Sequence, residues 1–149
     1  MPTHIKIEQK FHQLVDKQEL NTIATVVYNF FSIDHTDITI VIIDDEKMQS
    51  LNKQFRKIDR TTDVLSFSSE ESDPDNGRPY LGDVIISYSQ VLRQAEQYDQ
   101  TVGSELMLVL IHGILHLLNF NHDTPEDKTI MESLQKKIIE KVTEKKRNK

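Results

Sequence analysis

The sequence predicts an α+β fold: one domain over residues 1–149, a mixed four-stranded sheet and about five helices, with a central buried helix carrying an HxxxH motif. Three observations lead there. Four short runs rich in Val, Ile, Phe and Thr (THIKIEQ, DITIVIID, DVLSFS and YLGDVIISY) punctuate stretches with helical spacing. The strand–helix–strand portion implies parallel neighbours, whereas the third and fourth runs are joined only by a loop and imply an antiparallel pair. A chain of 149 residues, 37% hydrophobic and 28% charged, suits one core, and no internal repeat or linker divides it.

Each element has its local reason. THIKIEQ alternates apolar and polar residues, as a half-buried strand does. KQELNTIATVVYNFF repeats apolar residues at Leu20, Ile23, Val26 or Val27 and Phe30 or Phe31, which predicts a helix over about 17–31. DITIVIID is β-branched and almost continuously apolar, a strand buried on both faces. In DDEKMQSLNKQFR, Asp44 or Asp45 caps a helix whose first turn is acidic and whose Met48, Leu51 and Phe55 share a face. DVLSFS is the next strand. EESDPDNGRP, with four acids, two prolines and an Asn-Gly, is a loop, and YLGDVIISY pairs back across it. SQVLRQAEQYDQ reads as a helix. GSELMLVLIHGILHLLN is a helix apolar nearly all round, hence buried. The last helix begins with Thr124 as N-cap, Pro125 in its first position and Asp127 two further on.

Composition removes several chemistries. The chain has no cysteine, so disulfides, thiolate metal sites and cysteine nucleophiles are excluded, and any metal must sit on His, Asp or Glu. MPTHIKIEQKFHQL lacks a charged segment leading into an apolar one, so no secretory signal is expected. The oily run Leu106–Leu118 is interrupted by His112, Gly113 and His116 and is too short to span a bilayer. A cytoplasmic location follows as the expectation. The net charge of −6 argues against a general nucleic-acid coat. Two basic islands stand out from it. Residues 136–149 hold seven Lys/Arg against two Glu, and residues 53–60 hold Lys53, Arg56, Lys57 and Arg60 against Asp59. The first reads as a frayed, solvated helix end; the second leaves room for a local polyanion site.

Chemistry concentrates in HGILHLLNFNHD, residues 112–123. His112 and His116 are four apart, so a helix stacks them on one face with Cβ atoms about 5–6 Å apart. His122 would point elsewhere if the helix continued. Asn119 suits the left-handed conformation that ends a helix, and Thr124-Pro125 begins a new one. The connector therefore swings His122 towards the first pair. Three neutral imidazoles around a zinc ion leave one position open, the arrangement of a catalytic rather than a structural zinc. His4, His12 and His35 are scattered. The spacing equals that of the zinc peptidase motif H-E-x-x-H-x-x-G-x-x-H, but Gly113 stands where those enzymes carry their general-base Glu. Asp63 and Asp83, at strand edges, are candidates to orient a histidine through its second nitrogen, with Asp83 read as structural. Ser66 and Ser87 have no base nearby in the sequence and are read as ordinary strand residues.

Three segments together resemble the YbeY family of bacterial metal-dependent endoribonucleases. HGILHLLNFNH follows H-G-x-L-H-L-x-G-[YH]-D-H at His112, Gly113, Leu115, His116, Leu117 and His122, departing at Asn119, Phe120 and Asn121. FRKIDRTTDVLSFS resembles F-R-x-x-D-x-P-T-D-V-L-S-F-P, with Thr61 and Ser68 in place of prolines. LGDVIIS resembles the family strand L-G-D-I-x-I-S. The resemblance implies that His112, His116 and His122 bind one Zn²⁺ per chain and that Arg56 is the catalytic arginine. A guanidinium can hold phosphate oxygens through paired hydrogen bonds, a geometry Lys lacks. Lys53, Lys57 and Arg60 are candidates to steer the RNA backbone. The implied function is single-strand-specific RNA cleavage in 16S rRNA 3′-end maturation and ribosome quality control. The implied partners are rRNA precursors and small ribosomal subunit components, with no membrane and no DNA. Two other readings stay open: a zinc peptidase-like hydrolase, and a non-catalytic ribosome-assembly factor whose metal is structural.

Overall fold

The structure is a computed structural model describing residues 3–33, 36–69 and 79–147. His35 and the acidic loop expected at 70–79, apart from Pro79, lie outside the described residues. Strands β1 (Thr3–Ile7), β2 (Asp37–Ile43), β3 (Val64–Ser68) and β4 (Tyr80–Ser87) form one sheet in the order β1-β2-β4-β3. β1 and β4 both run parallel to β2, and β3 runs antiparallel to β4. Helix α1 (Lys17–Phe31) connects β1 to β2, and α2 (Asp45–Arg56) connects β2 to β3. Helices α3 (Tyr88–Gln97), α4 (Val102–Leu117) and α5 (Pro125–Arg147) follow β4. The mixed sheet and the antiparallel pairing of the third and fourth strands agree with the sequence.

The near-continuous apolar character of β2 has a direct cause. Ile38, Ile40 and Ile42 join Val84 and Ile86 in the main core with α1, α4 and α5. On the other face Val41 and Ile43, with Ile85, Leu65 and Phe67, meet Met48 and Leu51 of α2. Alternate residues of one strand thus enter two cores.

Helix boundaries follow side-chain caps. Asp16, Asp44, Ser87, Thr101 and Thr124 each accept a hydrogen bond from a backbone N–H in the first turn of the helix they precede. Asp45 then serves a different purpose from capping. Its carboxylate accepts from the hydroxyls of Thr61 and Ser87 and pairs with Arg93. Burial opposes its ionisation, but these three partners outweigh it and hold the carboxyl below its ordinary value. The cluster ties the start of α2 to the lead into β3 and to the β4–α3 junction.

Gly82 sits where the β2–β4 register shifts, its φ is +144°, and a Cβ there would lie 2.2 Å from the carbonyl oxygen of Phe67. Both the backbone conformation and the close strand approach require glycine. Gly82→Ala is expected to destabilise the fold by about 2 kcal/mol or more, measured as a lower denaturant midpoint at unchanged slope; an unchanged midpoint would contradict the close approach.

Among the described residues no single helix is long and apolar enough to cross a membrane; α3 and α4 pass by length and composition only as a pair, bent by 119°. The apolar surface of α4 is instead spent inside the molecule, where the helix packs against α1, α3, α5, β3 and β4. Gly113 permits the contact with the sheet. A Cβ at that position would lie 2.6 Å from Val84 Cγ1 and 3.0 Å from Val64 Cγ2, and the Gly113 carbonyl accepts a 2.8 Å hydrogen bond from the Ser66 hydroxyl. α4 therefore lies close on β3 and β4 in a fixed rotation.

Candidate metal centre

That rotation sets the site. With Gly113 turned to the sheet, His112 and His116 share another face of α4, half-buried beside the edge strand β3. The helix ends as its sequence requires: Asn119 has φ +71°, and its N–H donates to the His116 carbonyl at 3.0 Å. Phe120 then anchors the connector. Its N–H donates to Leu115 O at 3.0 Å, and its ring meets that of Phe31 at 5.6 Å. Asn121 Oδ1 accepts from the Asp123 N–H at 3.1 Å, closing a turn about His122. The departures from the family pattern at Asn119 and Asn121 thus still build the turn.

The three imidazoles converge. One ring nitrogen from each of His112, His116 and His122 lies within 4.8 Å of the others, and the Nε2 atoms of His112 and His116 are 2.9 Å apart. Ring centroids are separated by 4.5, 5.7 and 5.5 Å. Two ligands of a tetrahedral ion bonded at about 2.0–2.1 Å stand about 3.4 Å apart, so the cluster has the dimensions of a shared ion. Its chemistry fits as well. Burial, then the neighbouring His116 ring, pushes the His112 pKa down to about 4, against the pull of Asp63. Burial and His122 also lower that of His116, and the nearby Arg56 charge adds to this. Both rings are thereby kept neutral, the form that offers a lone pair to a metal. His4 and His12 are engaged elsewhere, with Asp37 Oδ2 at 3.2 Å and the Ile7 carbonyl at 2.6 Å.

The histidines open onto a cleft of about 700 Å³, lined also by Arg56, residues Thr62 to Phe67, Asn121 and Asp123. Arg56 ends α2, exposed, and among the described residues forms no ion pair with Asp59 or Glu46. Buried Asn52 braces the segment beyond it, its side-chain amide donating to the Arg60 carbonyl at 2.9 Å and its backbone carbonyl accepting from the Ile58 N–H at 3.3 Å. Lys53, Lys57 and Arg60 are exposed but are not among the residues lining this cleft. Lys53 lies 3.8 Å from Asp59, and the Lys57 ammonium donates to the Gln54 carbonyl.

Among the described residues neither acidic candidate bonds to a histidine. Asp63 lines the cleft, acts on His112 through its charge, and accepts from Gln94 at 3.3 Å. Asp83 is held by the hydroxyl of Tyr80, consistent with a structural role. Among the described residues, the side chain that meets the second nitrogen of His112 is Gln135 of α5, whose Nε2 is 2.7 Å from His112 Nδ1. It is not among the residues the sequence singles out. The available signal was a polar residue on the apolar stripe formed by Met131, Ile138 and Val142. Ser66 and Ser87 are engaged with Gly113 and Asp45.

Fold and site together define a small single-domain α+β protein with a three-histidine cluster, able to hold one ion at an open cleft. The chain belongs to the YbeY family: the family profile described as Endoribonuclease YbeY matches residues 4–143. A protein named Endoribonuclease YbeY from Sulfurihydrogenibium sp. (strain YO3AOP1) is 37% identical over 139 residues, spanning 91% of this chain and 90% of its own. Its namesake from Persephonella marina (strain DSM 14350 / EX-H1) is 36% identical over 129 residues, spanning 86% and 84%. The solution structure of TM1509 from Thermotoga maritima superposes with a TM-score of 0.67 at 28% identity, covering 98% of this chain and 92% of that one.

Proposed function

We propose that this chain is a zinc-dependent endoribonuclease specific for single-stranded RNA, acting in the cytoplasm on ribosomal RNA precursors at the 16S 3′ end. In this role it would work alongside small-subunit components in maturation and quality control. The observation that carries the hydrolase reading is the convergence of three imidazoles, two of them held neutral, in a cleft that also contains Arg56. Its relatives' names supply the substrate class. When bound, a zinc ion supplies a Lewis acid and, through its water, hydroxide near neutral pH. The chain's own residues do the rest. The histidines are neutral ligands and leave the ion's charge undiminished, which suits an anionic phosphodiester. The Arg56 guanidinium can grip two phosphate oxygens and offset the charge that builds on them during cleavage. Phe67 in the cleft wall and the exposed Phe55, edge-on at 5.4 Å, offer faces on which unpaired bases can stack.

Purified protein of known metal content, incubated with single-stranded RNA, duplex RNA and an unstructured peptide, tests this. Chelator-sensitive cleavage of the single strand alone is expected; peptide cleavage would favour the peptidase reading. A metal that stays bound without any RNA cleavage would favour the assembly-factor reading. Arg56→Lys is expected to keep the metal yet slow cleavage by roughly 10- to 100-fold, because an ammonium cannot reproduce the paired contact. Full-rate cleavage by that variant would remove Arg56 from the chemistry.

A further inference from the structure

We infer that Gln135 is a positioning residue that sets the tautomer and orientation of His112 for metal binding. This rests on the three-histidine metal reading and adds to it a residue from a different helix.

Gln135 lies on the inward stripe of α5, four residues after Met131 and three before Ile138, both buried. Helical spacing would favour a leucine there. The carboxamide nitrogen Nε2 instead lies 2.7 Å from His112 Nδ1, while Nε2 of the same ring meets His116 Nε2 at 2.9 Å. The His112 ring therefore bridges α5 and the metal-ligating cluster.

A neutral imidazole carries one ring proton. Binding through Nε2 requires the lone pair on that atom, so the proton must reside on Nδ1, where it donates outward. Gln135 then has to present its carboxamide oxygen. In the opposite tautomer, the one the structure holds, Nε2–H donates to His116 and Nδ1 accepts from the Gln135 amide nitrogen, so metal binding turns the carboxamide over. A carboxamide serves both tautomers by turning its end over; a carboxylate serves only the metal-binding one, and a leucine neither. Partners of this kind typically change metal affinity by 10- to 100-fold.

The test compares zinc affinity, by competition with a chromogenic chelator, with thermal stability in excess chelator, for wild type, Gln135→Leu and Gln135→Glu. Gln135→Leu is expected to bind zinc about 10- to 100-fold more weakly while melting at or above the wild-type temperature, since it completes an apolar stripe. Gln135→Glu, an acceptor of the same shape, is expected to bind at least as tightly as wild type. This opposite movement of affinity and stability is what a packing role cannot produce. Equal affinity in all three proteins, or equal weakening in both variants, overturns the positioning role. Wild-type protein that binds no zinc overturns the metal reading itself.

Discussion

His116→Ala is expected to leave the purified protein without its ion and to reduce RNA cleavage by more than 100-fold. Partners of a ligand are worth about 10- to 100-fold in affinity or activity, and removal of the ligand itself exceeds that. His116 is the middle of the cluster: its Nε2 is 2.9 Å from that of His112, and its ring centroid 5.5 Å from that of His122. Without it the two remaining rings come from α4 and from the connector beyond its end, and no longer close around one point. The ion would also act as a clasp between those segments. In wild type, zinc at about 1,000 times its dissociation constant should add about 4 kcal/mol, roughly 8–16 °C in a chain of this size. His116→Ala should show little of this gain while melting close to wild type in chelator. Metal content unchanged by elemental analysis would refute the ligand assignment.

Gly113→Glu is expected to destabilise the protein by more than about 3 kcal/mol, and Gly113→Ala by about 1–3 kcal/mol. The alanine result has the opposite sign from helix propensity, which alone favours Ala over Gly by about 1 kcal/mol. The contact with the sheet decides it. A Cβ at 2.6 Å from Val84 Cγ1 forces α4 off β4, and the shift weakens the Ser66–Gly113 hydrogen bond and moves both helical histidines. A glutamate adds a carboxylate to the same buried contact. This also bears on the peptidase alternative: the helix face that would have to carry a general-base Glu is pressed against the sheet. A Gly113→Ala variant melting above wild type would show that the helix does not lie this close.

The chain's local features were legible in its residues. Asp44 and Thr124 accept from N–H groups three residues on, Asn119 takes a left-handed backbone, and four-residue spacing stacks His112 on His116. Each depends on geometry within about one helical turn. Even the return of His122 was readable, because a helix stop and a helix start flank it within six residues. The basic island at 53–60 was less readable. Charge count groups four side chains, but the end of α2 takes only Arg56 to the cleft wall.

What the sequence determined by itself was therefore the four strands and five helices, the antiparallel pairing of consecutive strands, and the histidine spacing. The tertiary structure decided that β4 inserts between β2 and β3, that Gly113 is the close contact fixing the rotation of α4, and that Gln135 meets a ring 23 residues away. The physical reason is range. Caps, turns and periodicity act between neighbours along the chain, whereas partners across helices depend on how whole faces pack, and one residue's identity does not record which distant atom it will meet.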